Sequence, residues 1–277
     1  MTDPTELQVE VGGLMLGDAT DYGVYGMYGL LGSVEANIVA AGTGYTPGHV
    51  FSHSTLPPRD FGFTVEVDGA TDRATLRDAL ASLHEGGGTI RFNLDGVTVE
   101  RLTDVVLVDF DPESGDDLEL SSGLYRYVCR FRAGDPIIYT DTATVLNLNT
   151  AGTASGTVTN AGNYGPLHLP GAGWSCVITA GGSGCTGPKL VNGHASLSGA
   201  GVLDLHDVSL TAGQTVTVTA STEQVVKGST SVFSSCRGAS AGTLPEFFPL
   251  LPGAQTVTLS CATGACTAAF TYRSTRL

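Results

Sequence analysis

Alternation of apolar and polar residues is the first signal along this chain. Leu7/Val9/Val11, Phe61/Phe63/Val65/Val67 and Ile90/Phe92/Leu94 place apolar side chains at every second position, and Gly, Asp or Pro flanks each run. A period of two belongs to a strand with one face buried, so these segments predict half-buried β-strands. Leu124 to Arg132 alternates over a longer span, with Tyr125, Tyr127, Cys129 and Phe131 on one face and Arg126, Arg130 and Arg132 on the other. It predicts a long strand with a basic face, ended by Gly134-Asp135-Pro136. One segment has a different period. Leu76, Ala79, Leu80 and Leu83 recur at helical spacing, after a cap at Thr71 or Asp72 and before a stop at Gly86-Gly87-Gly88.

Further along, short β-type runs follow one another closely: Trp174 to Thr179, Val202 to Leu205, Thr215 to Thr219, Thr256 to Ser260 and Ala268 to Tyr272, with Gly and Pro turns between. That rhythm predicts a β-sandwich. Gln214-Thr-Val-Thr-Val-Thr219 alternates Val with Thr, as expected of antiparallel strands wet on one side. Between the two regions, about Asn147 to Gly165, lies a Thr, Ala, Gly and Asn-rich stretch that is the natural place for a boundary. The expected fold is mainly β: an N-terminal, β-barrel-like domain with one helix over residues 1–146, and a C-terminal β-sandwich over 147–277.

Charge sharpens that division. Residues 1–146 hold 23 Asp+Glu against 8 Lys+Arg, a net of -15, and the remaining 131 hold 4 against 5, a net of +1. Two modules with such different charge meet different surroundings, because net charge governs association and solubility rather than fold. The chain as a whole, at -14 over 277 residues, is unsuited to gripping nucleic acid from outside, since that grip is mostly phosphate neutralisation by Lys and Arg. With 42% hydrophobic and 14% charged residues it is too apolar for wholesale disorder. The opening Met-Thr-Asp-Pro-Thr-Glu lacks the basic-then-apolar order of a secretion signal, and no apolar run approaches the roughly 20 residues of a membrane helix. The expectation is a chain made in a cytoplasm, with no membrane partner.

Candidate chemistry is sparse. The six cysteines are Cys129, Cys176, Cys185, Cys236, Cys261 and Cys266. Cys176 and Cys185 flank a Gly-rich turn and Cys261 and Cys266 flank Ala-Thr-Gly-Ala, so each pair is a candidate cross-strand disulfide. Eight and four intervening residues do not match paired zinc knuckles. Cys129, on the apolar face of its strand, reads as a small buried hydrophobe. The acidic run Asp109 to Glu119 fails the calcium-loop register, because Gly115 stands seventh and Glu119 eleventh where that loop needs sixth and twelfth. It reads as a polar hairpin loop. Asp204, His206 and Asp207 are close in sequence, but no nucleophile elbow, metalloprotease helix or phosphate loop accompanies them. Neither catalytic residues nor a metal or other cofactor is expected.

Three stretches together resemble the distal tail protein family of long-tailed bacteriophages. They are Leu16 to Val67, with Pro58-Arg59-Asp60-Phe61 leading its last strand; Tyr127-Val-Cys-Arg-Phe-Arg-Ala-Gly-Asp-Pro136-Ile-Ile-Tyr139; and Leu250-Leu-Pro-Gly253 to Ser260, followed by Ala268 to Arg276. Their order and spacing cover nearly the whole chain. The resemblance implies a structural virion protein of the tail tip. Six copies of the first domain would form a ring, with a galectin-like sandwich facing outward. The ring would join the tail tube protein to the baseplate hub or fibre, offer sites to receptor-binding proteins, and let DNA pass without specific binding. An acidic inner wall suits that passage, since like charge repels phosphate. The cysteines of the second domain are more numerous than the family pattern explains. Disulfides would help a particle outside the cell, although the chain folds in a reducing compartment. Two other readings stay open: a carbohydrate-binding adhesin module in which Trp174 stacks on a sugar, and a tail tube subunit.

Overall fold

A computed structural model describes residues 8–30, 37–42, 49–84, 87–112, 124–163, 174–197, 201–240, 242–245 and 247–277. The chain divides into two compact units, one running to Asp141 and including Leu277, the other from Thr142 to Arg276. Both are mainly β.

The first unit holds strands β1 (Gln8–Val11), β2 (Leu14–Gly17), β3 (Tyr22–Tyr28), β4 (Asn37–Gly42), β5 (His49–Thr55) and β6 (Arg59–Asp68), then helix α1 (Ala70–Ala81). Strands β7 (Gly88–Asn93), β8 (Glu100–Pro112), β9 (Leu124–Ala133) and β10 (Ile138–Thr140) complete it. The main sheet runs β2-β1-β7-β8-β9-β6-β3 with β10 added on β8, and β4 pairs with β5 separately. The predicted alternations become strands with Val9 and Val11, Phe61, Phe63, Val65 and Val67, and Ile90 and Phe92 buried; Leu94 falls just past β7 and is partly buried, and Leu7 lies outside the described residues. Phe61, Phe63 and Phe131 stack with ring centroids 5.1–5.2 Å apart, so β6 and β9 meet through aromatic pairs.

Helix α1 lies where the period of three and four places it, with Leu76, Leu80 and the following Leu83 buried in the same core. Its N-terminus differs from expectation. The cap is Gly69, at φ 89°, with no side-chain hydrogen bond; Asp72 instead sits in the first turn, where a carboxylate suits the helix dipole. The helix also stops at Ala81, before the glycine run, and ends on Ser82.

The second unit holds β11 (Thr144–Thr150), β12 (Thr153–Asn160), β13 (Trp174–Thr186), β14 (Lys189–Asn192), β15 (Val202–Asp204), β16 (Ser209–Leu210) and β17 (Thr215–Thr219). It continues with β18 (Gln224–Lys227), β19 (Thr230–Ser231), β20 (Gly253–Ser260) and β21 (Thr263–Tyr272). One antiparallel sheet runs β11-β21-β13-β17-β18-β19 with β16 on β13; the other runs β12-β20-β14-β15. A single hydrophobic core takes Cys176, Ile178 and Phe270 from the first sheet and Val158, Leu190, Leu203, Val257 and Leu259 from the second. This is a two-sheet sandwich. In β17, Val216 and Val218 point into the core while the threonines stay partly wet, as the alternation predicts.

The Thr, Ala, Gly and Asn-rich stretch read as a boundary holds most of β11 and all of β12. Leu148, Thr150, Val158 and Asn160 are buried there. Small residues are what this packing needs: a Cβ on Gly156 would come within 2.7 Å of the Leu146 side chain. Composition alone hid these two strands, which belong to different sheets.

Candidate functional site

In the first unit the outer face of strands β3, β6, β9 and β8 carries exposed charged and aromatic side chains. On β9 the alternation sends Tyr127, Cys129 and Phe131 inward and leaves Arg126, Arg130 and Arg132 exposed. The face read as basic is not basic in the fold. The β6–β9 register sets Glu66 opposite Arg126 and Asp60 opposite Arg132, and the β8–β9 register sets Asp109 opposite Arg130. All three pairs close. Arg126 Nε donates to Glu66 at 2.7 Å and Arg130 donates to Asp109 at 3.0 Å. Arg132 donates to both Asp60 oxygens, at 2.7 and 3.0 Å. The Arg132 guanidinium holds the Asp60 carboxyl below its ordinary range. Further along β8, Asp111 is pushed up by hydrogen bonding to Asp109 and by its charge.

Three large apolar or aromatic side chains share this neighbourhood. Tyr25 is 52% exposed, Tyr28 49% and Val108 54%. Tyr25 reaches the Glu66 carboxylate at 3.5 Å. Tyr28 lies over Gly62, where a Cβ would stand 2.5 Å from its hydroxyl, so the glycine in the middle of β6 makes room for the ring. Exposed tyrosines and paired arginines resemble the composition of protein interfaces, which favour Tyr and Arg. Sequence reasoning found the arginines but not the tyrosines or the acidic partners. The repeated Tyr-Gly spacing of Tyr22-Gly-Val-Tyr-Gly-Met-Tyr28 was the available signal.

Arg59 explains why the Pro-Arg-Asp-Phe start of β6 matters. It is buried, with Nε donating to the Pro136 carbonyl at 3.1 Å and one terminal nitrogen donating to the Gly29 and Leu30 carbonyls at 3.1 and 3.0 Å. One guanidinium thus ties the end of β3 to the Asp135-Pro136 turn. In that turn Asp135 accepts from the Ile137 amide and the Tyr139 hydroxyl, and burial pushes its carboxyl up.

The remaining candidates fall in the second unit. Trp174 is 3% exposed, packed against Phe248 and Phe270 with ring centroids 4.8 and 4.9 Å away, and its indole nitrogen donates to the Phe248 carbonyl at 2.8 Å. The ring is buried and its polar edge is used, which is the arrangement of a core tryptophan rather than of an exposed sugar-stacking platform. The cysteine geometry also differs from the hairpin reading. Cys176 and Cys185 lie on one strand, β13, with a register irregularity between Ala180 and Cys185. Cys261 stands between β20 and β21, which belong to different sheets, and Cys266 lies within β21. The thiols of Cys185, Cys261 and Cys266 interact with one another, and burial pushes Cys266 up to about 12. Cys129 is fully buried, its thiol likewise pushed up to about 12.

Asp204 does not serve His206. It is paired with Arg237 at 2.8 Å across an isolated β-bridge, and His206 faces the exposed Asp207 at 3.0 Å. Residues 113–119 of the acidic run lie outside the described residues. Among the described residues no group of three or more His, Cys, Asp or Glu is placed to hold a metal ion, and no helix is long and apolar enough to cross a membrane.

No protein-family model and no curated protein matches this chain. Among solved structures it is similar to the Dit protein of phage SPP1, described as a paradigm of the hub adsorption apparatus in phages infecting Gram-positive hosts. The TM-score is 0.63 at 16% identity, over 96% of this chain and 98% of that one. The phage p2 baseplate in its activated conformation, solved with strontium and with calcium, matches at a TM-score of 0.44 and 10% identity over 96% of each chain. The chain has the fold of SPP1 Dit across both units.

Proposed function

We propose that this chain is a structural component of a phage tail tip, a distal tail protein whose first unit assembles into a six-membered ring between the tail tube and the baseplate hub or fibre. The observation that carries the reading is the shared fold, which spans 96% of this chain and 98% of SPP1 Dit. Chance likeness of one domain would not extend over both units. The three resembling stretches support it independently of the coordinates, and Arg59 gives two of them a joint physical purpose, since its side chain links the strand it opens to the Asp135-Pro136 turn.

In this reading function resides in interfaces rather than in a reacting site. The outer face of β3, β6, β9 and β8 offers exposed tyrosines among charges that already satisfy one another, and such a face can be covered without stranding an unpaired ion. The net charge of -15 over residues 1–146 suits a channel along which DNA passes without sticking. Docking of tail tube, hub or receptor-binding proteins would occur at six equivalent positions. The second unit presents a sandwich with little net charge for packing against other proteins, and the virion is the expected location.

Light scattering on a sizing column, with negative-stain imaging of the peak, tests the proposal. A ring of six with an open centre is the expected result. A monomer at every concentration up to the millimolar range would overturn it.

A further inference from the structure

The thiols of the second unit are arranged for a bond that the strand topology makes consequential. Cys185 on β13 pairs in register with Gly264 on β21, and Cys266 follows two residues later on the same inward face. Cys261 lies in the short passage by which the chain leaves one sheet at Ser260 and enters the other at Thr263. Its amide donates to the Gly152 carbonyl at 3.0 Å, in the turn between β11 and β12, where the chain makes a second passage between the sheets. Its thiol turns back to the Gly264 carbonyl at 3.4 Å, and so toward Cys266. Cys266 interacts with both Cys185 and Cys261. Of the six cysteines, Cys261 alone is not buried.

We propose that Cys261 and Cys266 form a redox lock at this end of the sandwich, in which a single disulfide fastens the β20–β21 passage to the sheet that contains β21. Cys261 is the entry point, being the thiol that solvent reaches. The oxidant is a small disulfide of the glutathione class. The Cys261 thiolate attacks one sulfur of that disulfide, forming a mixed disulfide and expelling one thiolate, which takes up a proton. The Cys266 thiol then loses its proton and attacks the Cys261 sulfur, expelling the second thiolate. Two protein thiols become one disulfide, and one small disulfide becomes two thiols. Burial keeps the Cys266 thiolate scarce, so the second step is slow and the lock closes over a long exposure to oxidising surroundings rather than during synthesis.

Cys185 gives the site a built-in control. It touches the same Cys266, but a Cys185–Cys266 bond would join two strands already hydrogen-bonded to each other and would leave the passage between the sheets untied. The lock therefore depends on which partner Cys266 takes.

Incubation of the folded, full-length chain with oxidised glutathione, then alkylation, digestion and mass spectrometry, reads the linkage. The expected result is a Cys261–Cys266 linked peptide, with two fewer alkylatable thiols and hydrogen exchange at the Cys261 and Ala262 amides slowed at least tenfold. Cys261→Ser should abolish the link, and Cys185→Ser should leave it intact. A Cys185–Cys266 linked peptide, or, after oxidation prolonged until the thiol count no longer changes, a mixed glutathione adduct still unresolved at Cys261 or six free thiols in a chain that stays folded would each overturn the proposal. None of these outcomes depends on whether the chain forms a ring.

Discussion

The two units solve the same problem, holding β-sheets and their irregular connections together, with different chemistry. In the first unit the main long-range polar ties run through charged side chains. Arg91 bonds Glu10, its cross-strand neighbour on β1, and Asp141 at 2.8 Å, and Glu10 is only 5% exposed. Arg59 binds three carbonyls, and the β9 arginines close three exposed pairs. In the second unit neutral amides do most of this. Asn192 donates to the Pro249 carbonyl and to Gln255, while Gln255 bonds both the amide and the carbonyl of Leu251. Asn160 donates to the Leu250 carbonyl and accepts from the Thr275 and Gly162 amides. These amides fasten the Phe247 to Leu251 segment, which has no regular structure yet is buried against Trp174. Arg237–Asp204 is an ionic tie of that unit. The lesson is that the charge asymmetry of the chain is also an asymmetry of mechanism: the first unit should respond to pH and to loss of single charges, the second to loss of neutral hydrogen-bonding groups and to thiol oxidation.

The largest expected effect comes from Arg91→Met. It strands Glu10 in a buried site without a counter-charge, a change that costs about 3–5 kcal/mol. Hydrogen exchange should accelerate in β1 and β7 and stay unchanged in β13 and β21. Adding Glu10→Gln should restore most of the loss, because the buried charge is gone. If Arg91→Met left exchange in β1 and β7 as it was, the ionic account of the first unit would fail.

Gln255→Leu is the counterpart in the second unit. The substitution is close in size, but it leaves the Leu251 amide, its carbonyl and one Asn192 contact unpaired in a buried place. About 1–3 kcal/mol is the expected loss, since an orphaned buried group costs its desolvation. Denaturant unfolding followed by Trp174 fluorescence measures it, because the indole packs on the segment that Gln255 fastens. The effect should be indifferent to pH between 5 and 8, because the groups it involves carry no titratable proton.

How much of this was legible beforehand follows the same divide. Period-two alternation identified the core strands of both units, and the period of three and four located α1, because burial imposes those spacings directly. The helix cap was missed because Gly69 works through its backbone conformation and offers no side-chain signal. The β11 and β12 strands were not read as such in the boundary stretch, because its small polar residues satisfy packing at Gly156 rather than supplying apolar mass. The arginine face was visible, but its neutrality was not, since Asp60 and Glu66 on β6 are separated from β9 by more than fifty residues and register alone brings them opposite. Trp174 was weighed as a sugar platform because one aromatic in an alternating strand looks alike buried or exposed. Cys261 and Cys266 were close in sequence, but the involvement of Cys185 depended on the irregular register of β13, which no spacing rule contains.

The smallest effects sharpen the comparison inside the first unit, where two aspartates should respond to pH with opposite sign. Asp60 is held below its ordinary pKa by Arg132, so its contribution is complete above the unfolded value and is lost as pH falls through the lowered one. Both partners of that pair are largely exposed, which keeps the contribution small. Asp135 is raised by burial, so the folded chain holds its proton more tightly than the unfolded chain does. Its contribution is present below the unfolded value and is lost as pH rises through the raised one. Asp60→Asn should therefore be slightly less stable than the parent at pH 6 and converge with it toward pH 3. Asp135→Asn should gain on the parent as pH climbs from 4 to 7, because an amide can still accept from the Ile137 amide and meet the Tyr139 hydroxyl without the penalty of a buried charge. Urea midpoints for the two variants across that pH range would cross in opposite senses. Parallel curves would mean that the Asp135-Pro136 turn is wetter than its burial implies and that Arg59, not the aspartate, sets the stability of the turn.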